Sequence, residues 1–138
     1  MITAGLTNSF KQQLLLGVHD FSTDTFLIAL YTSAAELGPA TTVYSSTNEV
    51  SGAGYTATGQ QLQSITVNLS QGVAYVSFTN PSWSGATFTT RGALIYNQTK
   101  SNKSVGVFNF GVDQTMLGQS FTIQLPTNDP ENALIRIT

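Results

Sequence analysis

The sequence predicts an all-β fold, a jelly-roll-like β-sandwich with one short N-terminal helix, formed by residues 1–138 as a single domain. Three observations carry this expectation. Neutral polar residues replace charge: Thr (20), Ser (14), Gln (10) and Asn (9) fill more than a third of the chain, whereas Asp, Glu, Lys and Arg reach only 9%, against about 25% in ordinary domains. Threonine suits a half-buried pleated surface because of its branched Cβ, and the Lys and Glu that solvate helix surfaces are nearly missing. Short apolar or alternating runs also recur roughly every ten residues between turn residues, a spacing typical of sandwiches and barrels. Finally, only one segment has helical periodicity. An up-and-down barrel is the competing architecture.

That helix lies at the start. Thr7, Asn8 or Ser9 can cap it, Phe10, Leu14 and Leu15 share a face, and Gly17 stops it. A helix of two to three turns is unstable alone, so it needs a surface to lie on. Phe26–Tyr31 is a continuous apolar run, suited to a strand buried on both faces. Ala34–Leu37 fits one helical turn before Gly38-Pro39, and Thr41–Ser51 is a polar stretch ending in the loop Ser51-Gly52-Ala53-Gly54. Residues 61–69 alternate, with an apolar face from Ile65 onward through Val67 and Leu69. Gln71-Gly72 is a turn, and Val73–Phe78 is the return strand of a hairpin. After Asn80-Pro81, two strands are expected at Ala86–Thr89 and Gly92–Tyr96, around Thr90-Arg91. A polar loop at Asn97–Ser104 precedes a strand at Val105–Phe110. Phe121, Ile123 and Leu125 mark another, and Leu134–Ile137 the last.

Composition excludes several function classes. The five Lys and Arg are scattered and the net charge is −2, so nothing draws a polyanion and no nucleic-acid partner is expected. No run reaches the roughly 18 apolar residues of a membrane helix, and no basic, then apolar, leader pattern is visible, so neither a membrane partner nor a signal peptide is expected. With no cysteine, disulfides, thiolate metal sites and thiol nucleophiles are absent together.

Chemistry-bearing residues are sparse. The single histidine, His19, sits near Asp20 and Asp24 where the helix hands over to the first strand. The dipole and terminal carbonyls at a helix end favour a histidine there without catalysis. His19, Asp20 and Asp24 do not match zinc spacing, and nothing selects a carboxylate pair for glycoside hydrolysis among seven acidic residues. No enzyme activity, cofactor or metal is expected. Asn68, Asn97 and Asn102 match the glycosylation sequon, as a Ser- and Thr-rich chain does by chance. Trp83, Tyr44, Tyr55 and Tyr96 are candidates either for the core or for an exposed stacking platform.

Read in order, five segments resemble one family. They are Phe10-Lys11-Gln12-Gln13-Leu14-Leu15-Leu16-Gly17-Val18-His19-Asp20-Phe21, Asp24-Thr25-Phe26-Leu27-Ile28-Ala29-Leu30-Tyr31-Thr32-Ser33, Glu49-Val50-Ser51-Gly52-Ala53-Gly54-Tyr55-Thr56, Arg91-Gly92-Ala93-Leu94-Ile95-Tyr96-Asn97 and Phe108-Asn109-Phe110-Gly111. Their order is similar to that in small virion proteins of tailed bacteriophages, of the capsid decoration (cement or stapling) type. The resemblance implies a jelly-roll-like sandwich, made in the bacterial host cytoplasm, that sits on the outer surface of the phage head and bridges major capsid subunits. The partners it implies are the major capsid protein and further copies of the chain, as a dimer or trimer. It implies no cofactor and no active site. A receptor- or glycan-binding module of a tail fibre or spike is the alternative reading. Candidate interface residues are Leu6, Phe10 and Leu14 in the N-terminal segment, because an apolar stripe needs a partner. Tyr44 and Tyr55 are candidates as loop aromatics, and Lys100 and Lys103 as cations for an acidic capsid face.

Overall fold

The computed structural model describes residues 1–138. The chain is mostly β, with antiparallel sheets and one short helix. In chain order the elements are β1 (Gly5–Leu6), α1 (Asn8–Leu15), β2 (Phe26–Tyr31), β3 (Gln60–Gln61), β4 (Thr66–Ser70), β5 (Val73–Ser77), β6 (Ser82–Asn97), β7 (Lys103–Thr122) and β8 (Ile135–Ile137). One sheet has the order β1-β7-β6-β2-β3 and the other β4-β5-β8. The strands thus form two sheets and do not close into one barrel.

Strand β2 explains the layering. All six of its residues are buried, and alternate side chains leave on opposite faces. Phe26, Ile28 and Leu30 enter a large apolar cluster with Ala93, Ile95 and Val105 of the same sheet and Val76 and Ile135 of the small sheet. Leu27, Ala29 and Tyr31 enter a second cluster with Leu94, Tyr96 and Val107. That face is covered by Ile2, Ala35 and Leu37, from the N-terminus and the long connection after β2. Leu37 forms a parallel bridge with Ile2 there. Ala34–Leu37 is therefore extended after a tight turn at Ser33–Ala34, not the helical turn expected, because Leu37 spends its backbone on the Met1–Thr3 segment.

The helix follows its sequence signals. The Thr7 hydroxyl accepts the Phe10 N–H at 3.4 Å, and Gly17 takes a left-handed φ of 72° just past the end. The β4–β5 hairpin also follows the expected turn. Gln71 and Gly72 have φ of 54° and 76°, the type I′ pattern that matches strand twist.

Two strand expectations need correction. Ala86–Thr89 and Gly92–Tyr96 are one strand, β6, and Val105–Phe110 runs on into the region of Phe121 as β7. The breaks read from the sequence are bulges within one long hairpin. Thr90 pairs with Gln114 and Gly92 with Asn109, so Arg91 alone stands opposite Phe110–Asp113. Such insertions bend a ladder without ending it. The alternating run over residues 61–69 is likewise shorter than expected. Ser64 adopts φ 56°, and the strand begins only at Thr66.

Gly59 shows how tightly the long connection is laid on β2. Its φ is +88°, and a Cβ there would lie 1.9 Å from the Ile28 carbonyl oxygen. Gly72 has φ +76° but open space around it. The Gly72→Ala variant should lose about 1 kcal/mol, the left-handed penalty alone. Gly59→Ala should lose clearly more, upwards of about 2 kcal/mol, because backbone must also move. Urea unfolding of the two variants side by side checks the difference.

Candidate functional site

The ionisable and aromatic side chains gather into two polar networks. The first begins where α1 meets the large sheet. His19 is buried, its ring tilted against those of Phe10 and Phe26. The Asn97 amide donates to His19 Nδ1 at 3.0 Å and to Asp24 Oδ2 at 2.8 Å, while its oxygen accepts the Lys100 N–H at 3.2 Å. His19 Nδ1 is therefore the acceptor, and Nε2 carries the proton and donates it to Gln13 Oε1 at 2.9 Å. Lys100 Nζ lies 2.9 Å from Asp24 Oδ2.

The charges in this network follow from burial and partners. Burial pushes the His19 pKa below 6.5, Asp24 pulls it back up, and Lys100 and Lys103 push it further down. Burial pushes the Asp24 carboxyl up, but hydrogen bonds from Asn97, the Asp20 N–H and Lys100 outweigh it, so the carboxyl lies below its ordinary value. Asp24 reaches the imidazole only through Asn97, and both ring nitrogens are engaged. The network thus ties the helix, the segment leading into β2 and the β6–β7 hairpin end together, with His19 as a neutral strut.

The second network is built around Glu49, in the connection that covers β2. The hydroxyls of Tyr44 and Tyr55 donate to its two carboxylate oxygens, and the Thr58 N–H donates to Oε2 at 2.8 Å. The Tyr55 hydroxyl also accepts the Leu30 N–H at 3.0 Å. Tyr96 donates to the Thr58 carbonyl at 2.6 Å and stacks on Tyr44 at 4.7 Å. Tyr31 donates to the Ser45 carbonyl at 2.7 Å. Burial first raises the pKa of all four tyrosines, that of Tyr96 to about 12; the hydrogen bonds to Glu49 add to it for Tyr44 and Tyr55, and the Glu49 charge for all four. They stay neutral donors: Tyr44 and Tyr55 hold the Glu49 carboxylate, and Tyr31 and Tyr96 hold backbone carbonyls beside it.

These networks relocate the candidate residues. Phe10 is fully buried in the large cluster and presents nothing outward; its stripe meets its own domain. Leu6 and Leu14 are half-buried against the same cluster. The apolar side chains that α1 and its end hold outward, beside the exposed Lys11 and Gln12, are Leu15 and Leu16, 86% and 70% exposed. Tyr44 and Tyr55 serve Glu49, Lys100 serves Asp24, and Lys103 reaches the Lys100 carbonyl at 3.4 Å. Trp83 is buried between Tyr55 and Phe121, so no platform is formed by Trp83, Tyr55 or Tyr96. Asn97 is fully buried, which closes that sequon to modification.

Sequence reasoning missed Glu49 and Asn97. Glu49 stands between Tyr44 and Tyr55 in a polar stretch, and that clustering was the available signal. Asn97 gave none beyond its place at the end of an apolar run. No three His, Asp or Glu side chains converge on one point, and no helix is long and apolar enough to cross a membrane. No family model, curated protein or solved structure matches the chain.

Two outcomes are expected. Because the folded pKa of His19 is depressed, the unfolded chain binds the extra proton first as pH falls below 6.5. Its contribution to stability is complete above that pH and declines below it. Urea midpoints taken between roughly pH 7.5 and 5 should fall for the wild type and flatten in His19→Gln. Tyr55→Phe strips a partner from both Glu49 and the Leu30 N–H, and should cost about 1–3 kcal/mol in the same assay at neutral pH.

Proposed function

We propose that this chain is a structural protein of a tailed-phage virion, a capsid decoration protein that binds the outside of the head and bridges major capsid subunits. The observation that carries the proposal is a surface holding large apolar side chains outward on a framework almost free of charge. Leu15, Leu16, Leu69 and Leu117 are each at least 70% exposed, and no charged residue lies between Glu49 and Arg91. Exposed apolar side chains of this kind suit protein partners. The order of segments that resembles decoration proteins supports the same reading. A jelly-roll-like sandwich belongs to the proposal, supported by two antiparallel sheets that feed one apolar cluster.

The mechanism is mechanical. A shell packed with DNA is loaded outward, and the load tends to part neighbouring capsomers. A rigid domain seated across the seam adds burial that parting must undo. A stable contact covers about 800 Å² on each partner, little more than a tenth of this chain's 6920 Å². One face can meet the capsid while another meets a second copy, and many copies multiply modest contacts. Low net charge limits repulsion between crowded copies.

The N-terminal segment is the first capsid-facing candidate, through Leu15 and Leu16 in place of Phe10. Purified protein added to undecorated capsids should bind at a fixed stoichiometry and raise their melting temperature. Leu15→Glu with Leu16→Glu should abolish the binding while leaving the protein's own unfolding midpoint within about 0.5 kcal/mol, as for surface substitutions generally. Absence of any binding by the wild type would overturn the proposal.

A further inference from the structure

Strand β4 is an outer edge of the small sheet, paired with β5 and with nothing on its other side. The molecule's other edges are poor templates for a partner strand. β1 and β3 are two residues long, and β8 is three residues long and carries Arg136. The outer side of β7 is interrupted by the Phe110–Asp113 insertion and by Gly118, which is skipped between the Leu117 and Gln119 pairings. In contrast, β4 pairs in register over five consecutive residues and contains neither charge nor proline, the usual guards of an edge.

The hairpin turn decides which groups β4 offers. Across a two-residue type I′ turn, Ser70 and Val73 form a hydrogen-bonded pair. Alternation along the strand then turns the backbone groups of Asn68 and Thr66 toward β5 as well, and leaves the N–H and C=O of Val67 and Leu69 directed outward. The side chains of these two residues are 56% and 79% exposed. They share a face of the sheet with Ala74, Val76, Ile135 and Ile137, their neighbours in register.

The segment Thr66-Val67-Asn68-Leu69-Ser70 has the same chemical order in both directions: hydroxyl, apolar, amide, apolar, hydroxyl. An antiparallel pairing of two copies about an axis through Asn68 sets Val67 against Leu69 of the second copy, twice. Each such pair can exchange two backbone hydrogen bonds, and Thr66 meets Ser70. A two-fold contact requires this self-complementarity. With no charge between Glu49 and Arg91, and Arg136 on the far edge strand of the sheet, the axis brings no like charges together. The geometry points to a two-fold dimer of this chain, in which β4 pairs antiparallel with β4 of a second copy and the two small sheets become one. This names the surface for the self-association within the proposed function.

The test uses purified protein without capsids, so its result is read separately from capsid binding. In sedimentation equilibrium the wild type should shift with concentration toward twice the 14.7 kDa monomer mass. Val67→Lys with Leu69→Lys places like charges opposite one another and should hold the mass at the monomer value, with an unchanged circular dichroism spectrum. Val67→Lys with Leu69→Glu sets the new lysine against the new glutamate of the other copy and should restore the dimer. A wild type that stays monomeric, or a double-lysine variant that still dimerises, overturns the inference. Failure of the lysine–glutamate variant to recover overturns the register.

Discussion

Strand β2 has no polar face, and the rest of the molecule is arranged around covering it. Phe26, Ile28 and Leu30 need one apolar layer and Leu27, Ala29 and Tyr31 another. The small sheet and α1 supply the first through Val76, Ile135 and Phe10. The second has no sheet to supply it. It is made by the N-terminus and the long connection from Thr32 to Gly59, which carries few apolar side chains. Burial on both faces of one strand removes apolar area at about 25 cal/mol per Å², and that gain fixes where every other element must lie.

A polar connection laid over a hydrophobic strand creates a second demand. Its inward carbonyls and hydroxyls and the carboxylate of Glu49 leave water and must find partners within the protein. The tyrosines meet it. The Tyr44 ring stacks on Tyr96 and the Tyr55 ring packs beside Trp83 and Phe88, while the hydroxyls of Tyr44 and Tyr55 reach Glu49 and those of Tyr31 and Tyr96 reach Ser45 and Thr58. The His19–Asn97–Asp24–Lys100 network does the same at the helix junction. Both networks are fully bonded and draw members from distant parts of the chain. They make the fold specific as well as stable, because slipping any one segment would strand several buried polar groups.

Charge is consequently uneven. The chain's Asp, Glu, Lys, Arg and His residues lie before Val50 and after Thr90, and Glu49, Asp24 and Lys100 are committed to internal partners. What remains between is a neutral hairpin and the outer half of β6, with Val67 and Leu69 turned to solvent. Such a surface is poorly guarded against association. Under the proposed decoration role, that missing guard is the means of contact, and the framework behind it holds the contact geometry steady.

The sequence by itself determined the elements whose signals are local. Thr7 capped the helix and Gly17 ended it, the unbroken run Phe26–Tyr31 became a strand buried on both faces, and Gln71-Gly72 became the hairpin turn. Each depends on residues within one or two turns of chain. Tertiary structure alone decided the rest. Bulges joined four expected strand segments into the β6–β7 hairpin, since a ladder continues wherever its partner compensates for an extra residue. Packing turned Phe10 inward and left Leu15 outward on the same short helix. The alternation at Val67 and Leu69 was plain in the sequence, yet only the position of β4 at the sheet edge, beyond the cover that buries Val76 and Ile135 on the same face, made those side chains surface instead of core. Glu49 and its tyrosines lie close in sequence, yet only the path of the connection over β2 turns Tyr44, Tyr55 and the Thr58 N–H onto one carboxylate.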